Sequence, residues 1–121
     1  MRRVVVTGGS CLSALGFETD EIFDSLKTFK NKVVRMDAWD VYTQMNTRLA
    51  CPVTQELPEY PRKKIRGCGR VAVMALASSH KAVEMAGLAE DTSILKSGRM
   101  GVAYGSSMGS IDALIDFFFN A

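Results

Sequence analysis

The run Val71-Ala72-Val73-Met74-Ala75-Leu76-Ala77 is apolar on every side, and it opens a segment that reads as helix from Arg70 to Ala86. A helix with a single apolar stripe can lie on the outside of a two-layer domain. One that is apolar all round has to be covered on more than one side. This segment therefore demands further layers, from the rest of a chain or from a partner subunit. Its end is equally defined, because Ala86-Gly87-Leu88 puts a glycine at the left-handed cap position and a leucine behind it.

The flanking segments set the fold class. Arg3 to Thr7 contains three consecutive valines before Gly8-Gly9 and reads as a buried strand. The small, apolar stretch from Ser10 closes at Gly16. Thr19 is expected to cap a helix over Asp20–Phe29, with Asp20 and Glu21 in its first turn, Lys27 and Lys30 near its end, and Ile22, Phe23, Leu26 and Phe29 on one face. Residues 33–61 form an irregular excursion, with prolines at 52, 58 and 61 and one short strand expected near Thr47–Val53. Met100 to Gly105 reads as a second buried strand. Ser110 is expected to cap a last helix in which Ile111, Leu114, Ile115 and Phe118 recur at i, i+3, i+4 and i+7. The order strand, helix, excursion, helix, strand, helix is that of an α/β protein. We take residues 1–121 as one domain, with the excursion inside it.

Composition removes several function classes. No apolar run approaches the roughly 18 residues of a membrane span, and the three valines after the N-terminal arginines are too few for a signal peptide, so a cytoplasmic location is expected. Cys11, Cys51 and Cys68 are odd in number and lack Cys-x-x-Cys spacing, and His80 is the sole histidine. Neither a disulfide framework, a metal site nor a cofactor is expected. A net charge of +2 is too small to imply nucleic acid.

Four local patterns could carry chemistry. The strand running into Gly8, Gly9 and Gly16 suggests a nucleotide-binding turn, but the glycine spacing is poor and Asp37 follows only a weak Val33-Val34 run. A turn in which backbone approaches backbone is favoured there. Gly101 to Gly109 could hold an oxyanion or phosphate on its N–H groups, or be a plain connecting turn. Ser106, Ser107 and Ser110 have no local base, so a hydrolase triad is not expected. Cys68, flanked by Arg66 and Arg70, has the setting of a reactive thiol, although free cysteines are more often small buried hydrophobes and burial is the expectation. Finally, Arg62, Lys63, Lys64, Arg66 and Arg70 place five cations in nine residues directly after Pro61. Such a run is commonly a solvated face, and it also suits an acidic partner. It has no interleaved aromatic to stack single-stranded nucleic acid.

Taken together, the segment Arg3-Val4-Val5-Val6-Thr7-Gly8, the turn closed by Ala14-Leu15-Gly16, the helix ending Ala86-Gly87-Leu88, and Gly101-Val102-Ala103-Tyr104-Gly105-Ser106-Ser107-Met108-Gly109 resemble the N-terminal part of the β-ketoacyl-[acyl carrier protein] synthases. The excursion, with Arg35-Met36-Asp37-Ala38-Trp39-Asp40 and Asn46-Thr47-Arg48-Leu49-Ala50, looks more like the branch found with aryl-polyene pigments than like the housekeeping fatty-acid enzymes. Gly9-Ser10-Cys11 departs from the usual Met-Gly start of its turn.

The resemblance implies that residues 1–121 are a partial domain, and it implies a thiolase-like fold layered αβαβα and a homodimer or a pairing with a related ketosynthase subunit. It implies acyl transfer to a cysteine followed by decarboxylative condensation with malonyl-carrier protein, in fatty-acid or polyene biosynthesis. By the same resemblance Lys63 and Arg66 match cations that dock acyl carrier protein, Leu114 matches a wall of the acyl pocket, and Met108 and Ile111 help limit chain length. The nucleophilic cysteine and both catalytic histidines of the family fall beyond residue 121, and none of Cys11, Cys51, Cys68 or His80 matches them. The 121-residue chain alone is therefore expected to be inactive. A non-catalytic module that binds acyl carrier protein is the alternative, and a nucleotide-binding α/β enzyme a more distant one.

Overall fold

The helix from Arg70 is present and ends as its sequence demands. In the computed structural model, which describes residues 3–119, it spans Arg70–Met85 with Ala86 as its C-cap. Gly87 takes a left-handed φ of 70°. The Gly87 N–H donates to the Glu84 carbonyl at 2.9 Å and the Leu88 N–H to the Val83 carbonyl at 3.0 Å. This is the paired closure of a Schellman motif, which satisfies two carbonyls that a bare helix end would leave open.

The chain forms two compact units. One is Cys11–Glu56. It begins with a tight turn in which Ser13 and Gly16 exchange both backbone hydrogen bonds, at 3.0 and 3.2 Å, and Gly16 adopts φ 151°. Helix α1 follows at Thr19–Lys27. Its N-cap is Glu18, without a side-chain cap bond, so Thr19 is the first helical residue and not the expected cap. The helix also stops two residues short of the expected Phe29, because Phe29 turns left-handed at φ 54°. Its N–H reaches the Leu26 carbonyl and that of Lys30 reaches Ser25, a Schellman closure built on phenylalanine instead of glycine.

The excursion is more ordered than its sequence suggests. Strand β1 (Val34–Arg35) pairs antiparallel with β2 (Leu49–Ala50), in the register Val34 to Ala50 and Arg35 to Leu49. A 3-10 turn over Asp37–Val41 lies between them. Charges hold this hairpin. Arg35 pairs with Asp37 and reaches Asp40 at 2.7 Å, and Arg48 reaches the same Asp40 oxygen at 2.7 Å. The Arg48 guanidinium also donates to the Tyr42 carbonyl at 3.2 Å. Asp40, before Asp37, holds the Arg35 guanidinium even more firmly in its charged form.

The other unit takes the residues up to Ser10 and from Leu57 onward. It holds α2 (Arg62–Ile65), α3 (Arg70–Met85), α4 (Thr92–Lys96) and α5 (Ile111–Phe119). Helix α4 was not foreseen. Asp91 caps it by accepting from the Ser93 N–H at 3.0 Å.

Two expectations about this unit need correction. Arg3–Thr7 and Met100–Gly105 form no ladder among the described residues. Val4 and Val6 are 96% and 93% exposed and Val102 is 75% exposed, whereas both segments were expected to be buried strands. A strand exists only through the neighbour that takes up its hydrogen bonds, and neither segment has one here. The further layers that the apolar run of α3 calls for are not supplied by the described residues, as expected of cover that comes from further chain or a partner. Ala77 is the one buried hydrophobic residue among those described, while Val73 to Leu76 are half-buried. Lastly, all three cysteines are exposed, contrary to the expected burial of Cys68.

Gly8 shows why its position excludes a side chain. A Cβ there would lie 2.3 Å from the Ala82 carbonyl oxygen and 2.9 Å from the Ala86 nitrogen of α3, whereas one on Gly9 would meet nothing. Close backbone approach accounts for Gly8, and Gly9 is under no such constraint.

Candidate functional site

The five-cation run forms a short helix and the turn after it. Pro61, at φ −53°, stands at the N-cap of α2, a position where its fixed φ and missing N–H are tolerated. Its carbonyl accepts from the Lys64 N–H at 2.8 Å, and the Cys68 N–H closes the turn on Ile65 at 2.9 Å. Gly67 provides the left-handed step, with φ 78°, that lets the chain re-enter a helix at Arg70. Arg62, Lys63, Lys64 and Arg66 are all exposed. A turn this rich in one sign of charge presents a positive face to an anionic partner.

Beside this turn lies a groove of about 850 Å³. Its walls come from the α2–α3 junction, the first half of α3, the Tyr104–Ser110 turn and the inner side of α5. Leu76, Leu114, Phe117 and neighbouring small residues make it mainly apolar, while Lys64, Cys68 and the serines Ser106 and Ser110 supply its polar edge. An open, apolar cleft with a few polar groups at one end is the usual form of a site for a chain-like or small apolar ligand.

Hydrogen bonds fix the walls. Ser106 Oγ accepts from the Gly109 N–H at 2.9 Å, and Gly109 is left-handed at φ 63°. The Tyr104 and Ser79 hydroxyls are in direct contact, and Ser79 also donates to the Ala75 carbonyl at 2.8 Å. Ser110 Oγ accepts from the Val71 N–H at 3.0 Å. The cap expected for the last helix is therefore spent on α3, whose own N-cap is the side-chain-less Gly69. His80 lies on the exposed side of α3, edge-on to Tyr60 with ring centroids 5.5 Å apart.

The structure thus places Leu114 on the groove and leaves Met108 and Ile111 exposed and outside its lining. Lys63 and Arg66 remain on the open face of the turn, with Lys64 between them in sequence lining the groove. Sequence reasoning did not single out Lys64, because nothing in an unbroken cationic run separates the residue that faces a groove from those that face solvent. It also passed over Tyr104, whose partner Ser79 lies 25 residues away. No cluster of metal-ligating side chains is present among the described residues, and no helix among them is long and apolar enough to cross a membrane.

The chain resembles known proteins over nearly its whole length. Residues 1–117 match the family model described as the β-ketoacyl synthase N-terminal domain. The chain is 33% identical over 113 residues to 3-oxoacyl-[acyl-carrier-protein] synthase 1 of Haemophilus influenzae, covering 91% of this chain and 27% of that protein. A crystal structure of a β-ketoacyl synthase from Burkholderia phymatum superposes with a TM-score of 0.86 at 47% identity, covering 97% of this chain and 29% of the other. The chain therefore spans between a quarter and a third of the length of these relatives. The fold is the N-terminal part of their thiolase-like α/β architecture, and the chain belongs to the β-ketoacyl synthase family.

Proposed function

We propose that this chain supplies the carrier-docking face and part of the acyl-binding wall of a 3-oxoacyl-[acyl carrier protein] synthase, acting in the cytoplasm within a homodimer or with a related synthase subunit. The observation that carries the proposal is the mainly apolar groove, with Leu114 on its wall and a turn of exposed cations at its edge. The name of the Haemophilus relative adds the substrate class.

In such an enzyme the acyl group passes from the carrier thiol to a cysteine thiolate. Malonyl-carrier protein then loses CO₂, and the resulting carbanion attacks the acyl thioester and expels the cysteine. Lys63 and Arg66 would steer the acidic carrier and set its orientation. Leu114 would line the acyl chain, whereas Met108 and Ile111, outside the groove lining of this chain, are given no part in limiting its length. The reading assigns none of Cys11, Cys51 or Cys68 as the nucleophile.

Calorimetric titration of acyl carrier protein into the 121-residue chain tests the docking. Binding should weaken about tenfold for the Lys63→Glu, Arg66→Glu double variant and lose much of its salt dependence. Equal affinity before and after the charge reversal would sink it. The same chain should release no CO₂ from malonyl-carrier protein, and measurable release would place catalysis within these residues.

A further inference from the structure

We propose that Ser110 is a positioning residue, tying the cationic docking turn to the helix that lines the apolar groove. This rests on the docking reading above and assigns a role to a groove residue that the reading leaves without one.

Ser110 serves two helices at once. Its carbonyl accepts from the Leu114 N–H at 3.2 Å, the first bond of α5. Its hydroxyl accepts from the Val71 N–H at 3.0 Å, in the first turn of α3. Helix α3 has no cap of its own to offer that donor, because its N-cap is Gly69. The neighbouring Ala72 and Val73 N–H groups both converge on the Gly69 carbonyl, at 3.0 and 3.2 Å. Val71 would otherwise be one of the unpartnered donors every helix start exposes.

The approach is close enough to require glycine opposite. A Cβ on Gly69 would stand 2.2 Å from Ser110 Cβ, 2.4 Å from its Oγ and 2.9 Å from Ala113 Cβ. Gly69 and Ser110 are thus fitted to one another, and the start of α3 meets α5 at the Ser110 side chain and the Ala113 methyl group.

Each end of this contact leads to a functional element. Three residues before Gly69 lies Arg66, and the turn between them is closed by the Cys68-to-Ile65 hydrogen bond at 2.9 Å. Four residues after Ser110, and so on the same face of α5, lies Leu114 on the groove wall. A carrier pulling on the cationic turn therefore loads the start of α3, and Ser110 passes that load to the wall that an acyl chain would touch. Removing the hydroxyl should uncouple docking from the groove while leaving both in place.

The test compares the 121-residue chain with its Ser110→Ala and Ser110→Thr variants. Titrations use acyl carrier protein carrying an eight-carbon acyl chain and the same carrier with a free thiol, and amide exchange at Val71 is followed by NMR. In Ser110→Ala, Val71 exchange should accelerate about fivefold, the size of a lost cap. The preference for the acylated carrier should fall by a similar factor, with affinity for the free-thiol carrier unchanged. Ser110→Thr, which keeps the hydroxyl, should restore both. An unchanged preference in Ser110→Ala, or an equal loss of affinity for both carriers, overturns the proposal. Should the unsubstituted chain bind neither carrier, the docking reading fails, and Val71 exchange still decides the tie. Acceleration confined to the starts of α3 and α5 upholds it, and no change refutes it.

Discussion

Gly8 and Gly9 are adjacent and chemically identical, yet alanine should have opposite effects at the two positions. At Gly8 the new methyl group would lie 2.3 Å from the Ala82 carbonyl oxygen, 2.9 Å from the Ala86 nitrogen and 3.2 Å from Ala86 Cβ. The first two are backbone atoms inside α3, where the Ala86 N–H is already bonded to the Ala82 carbonyl at 3.0 Å. They cannot swing aside as a side-chain tip would. Relief requires the segment to withdraw by about 1 Å, and overpacking of this kind costs about 1–3 kcal/mol. At Gly9 no atom lies within 4 Å. Alanine there should be neutral or stabilise by up to about 1 kcal/mol, by narrowing the unfolded ensemble. Urea titrations followed by circular dichroism measure both, and amide exchange at Ala86 localises the effect. Equal destabilisation by both substitutions would refute the packing argument. It would also revive a glycine-lined nucleotide turn, which needs both residues bare, and a titration with NAD would then be decisive.

Phe29→Gly should stabilise the Cys11–Glu56 unit by about 0.5–1 kcal/mol, since it relieves a left-handed backbone costing roughly 1–2 kcal/mol and gives back part of that as glycine entropy. The side chain is 91% exposed, so no packing is lost, and a lower urea midpoint for the variant would contradict this. Bonds from the Ser93 side chain and then the Ser93 backbone hold the Asp91 carboxyl below the ordinary aspartate value of 3.8. A depressed folded-state value contributes stability above the unfolded value and loses it as the pH falls through the folded one. Amide protection at the start of α4 should therefore be flat from neutrality to about pH 4 and decline below it, and a loss beginning near pH 6 would show that another group governs it. Ile111, Leu114, Ile115, Phe117, Phe118 and Phe119 are all exposed on α5, which predicts concentration-dependent self-association in sedimentation velocity. Phe118→Asp should reduce it, and a monomer with a sharp unfolding transition across all concentrations would contradict it.

Local chemistry was legible in the sequence, and pairing across long separations was not. The Gly87 cap, Pro61 at the start of α2 and the span of α3 followed from neighbouring residues, because helix ends are decided within a few positions. The short strand expected near Thr47–Val53 is β2, but its pairing with β1 depends on Arg35 and Arg48 meeting at Asp40, which no local pattern announces. Phe29 misled because phenylalanine at helical spacing marks an apolar face, while here its backbone occupies a glycine position. Of the proposed site, the charge run and the spacing that places Leu114 on α5 were both visible. The cap that Ser110 makes on a helix 39 residues away was not, since a serine before a helix points first to that helix.

The contacts along α3 explain how its unit keeps a groove open beside an apolar helix. Gly8 seats against the Ala82 carbonyl, Ser110 caps Val71, Ser79 meets Tyr104, and His80 meets Tyr60. Every one of these uses backbone or a polar side chain. The side chains from Val71 to Leu76, which call for cover from further chain or a partner subunit, take no part in them. Polar and backbone contacts fix position through direction and distance, whereas apolar burial fixes it only through area. The helix can therefore be held in register at its two ends and along one side while its apolar residues stay available as the floor of a groove. The apolar run is then free in this chain for the further layers that its composition calls for.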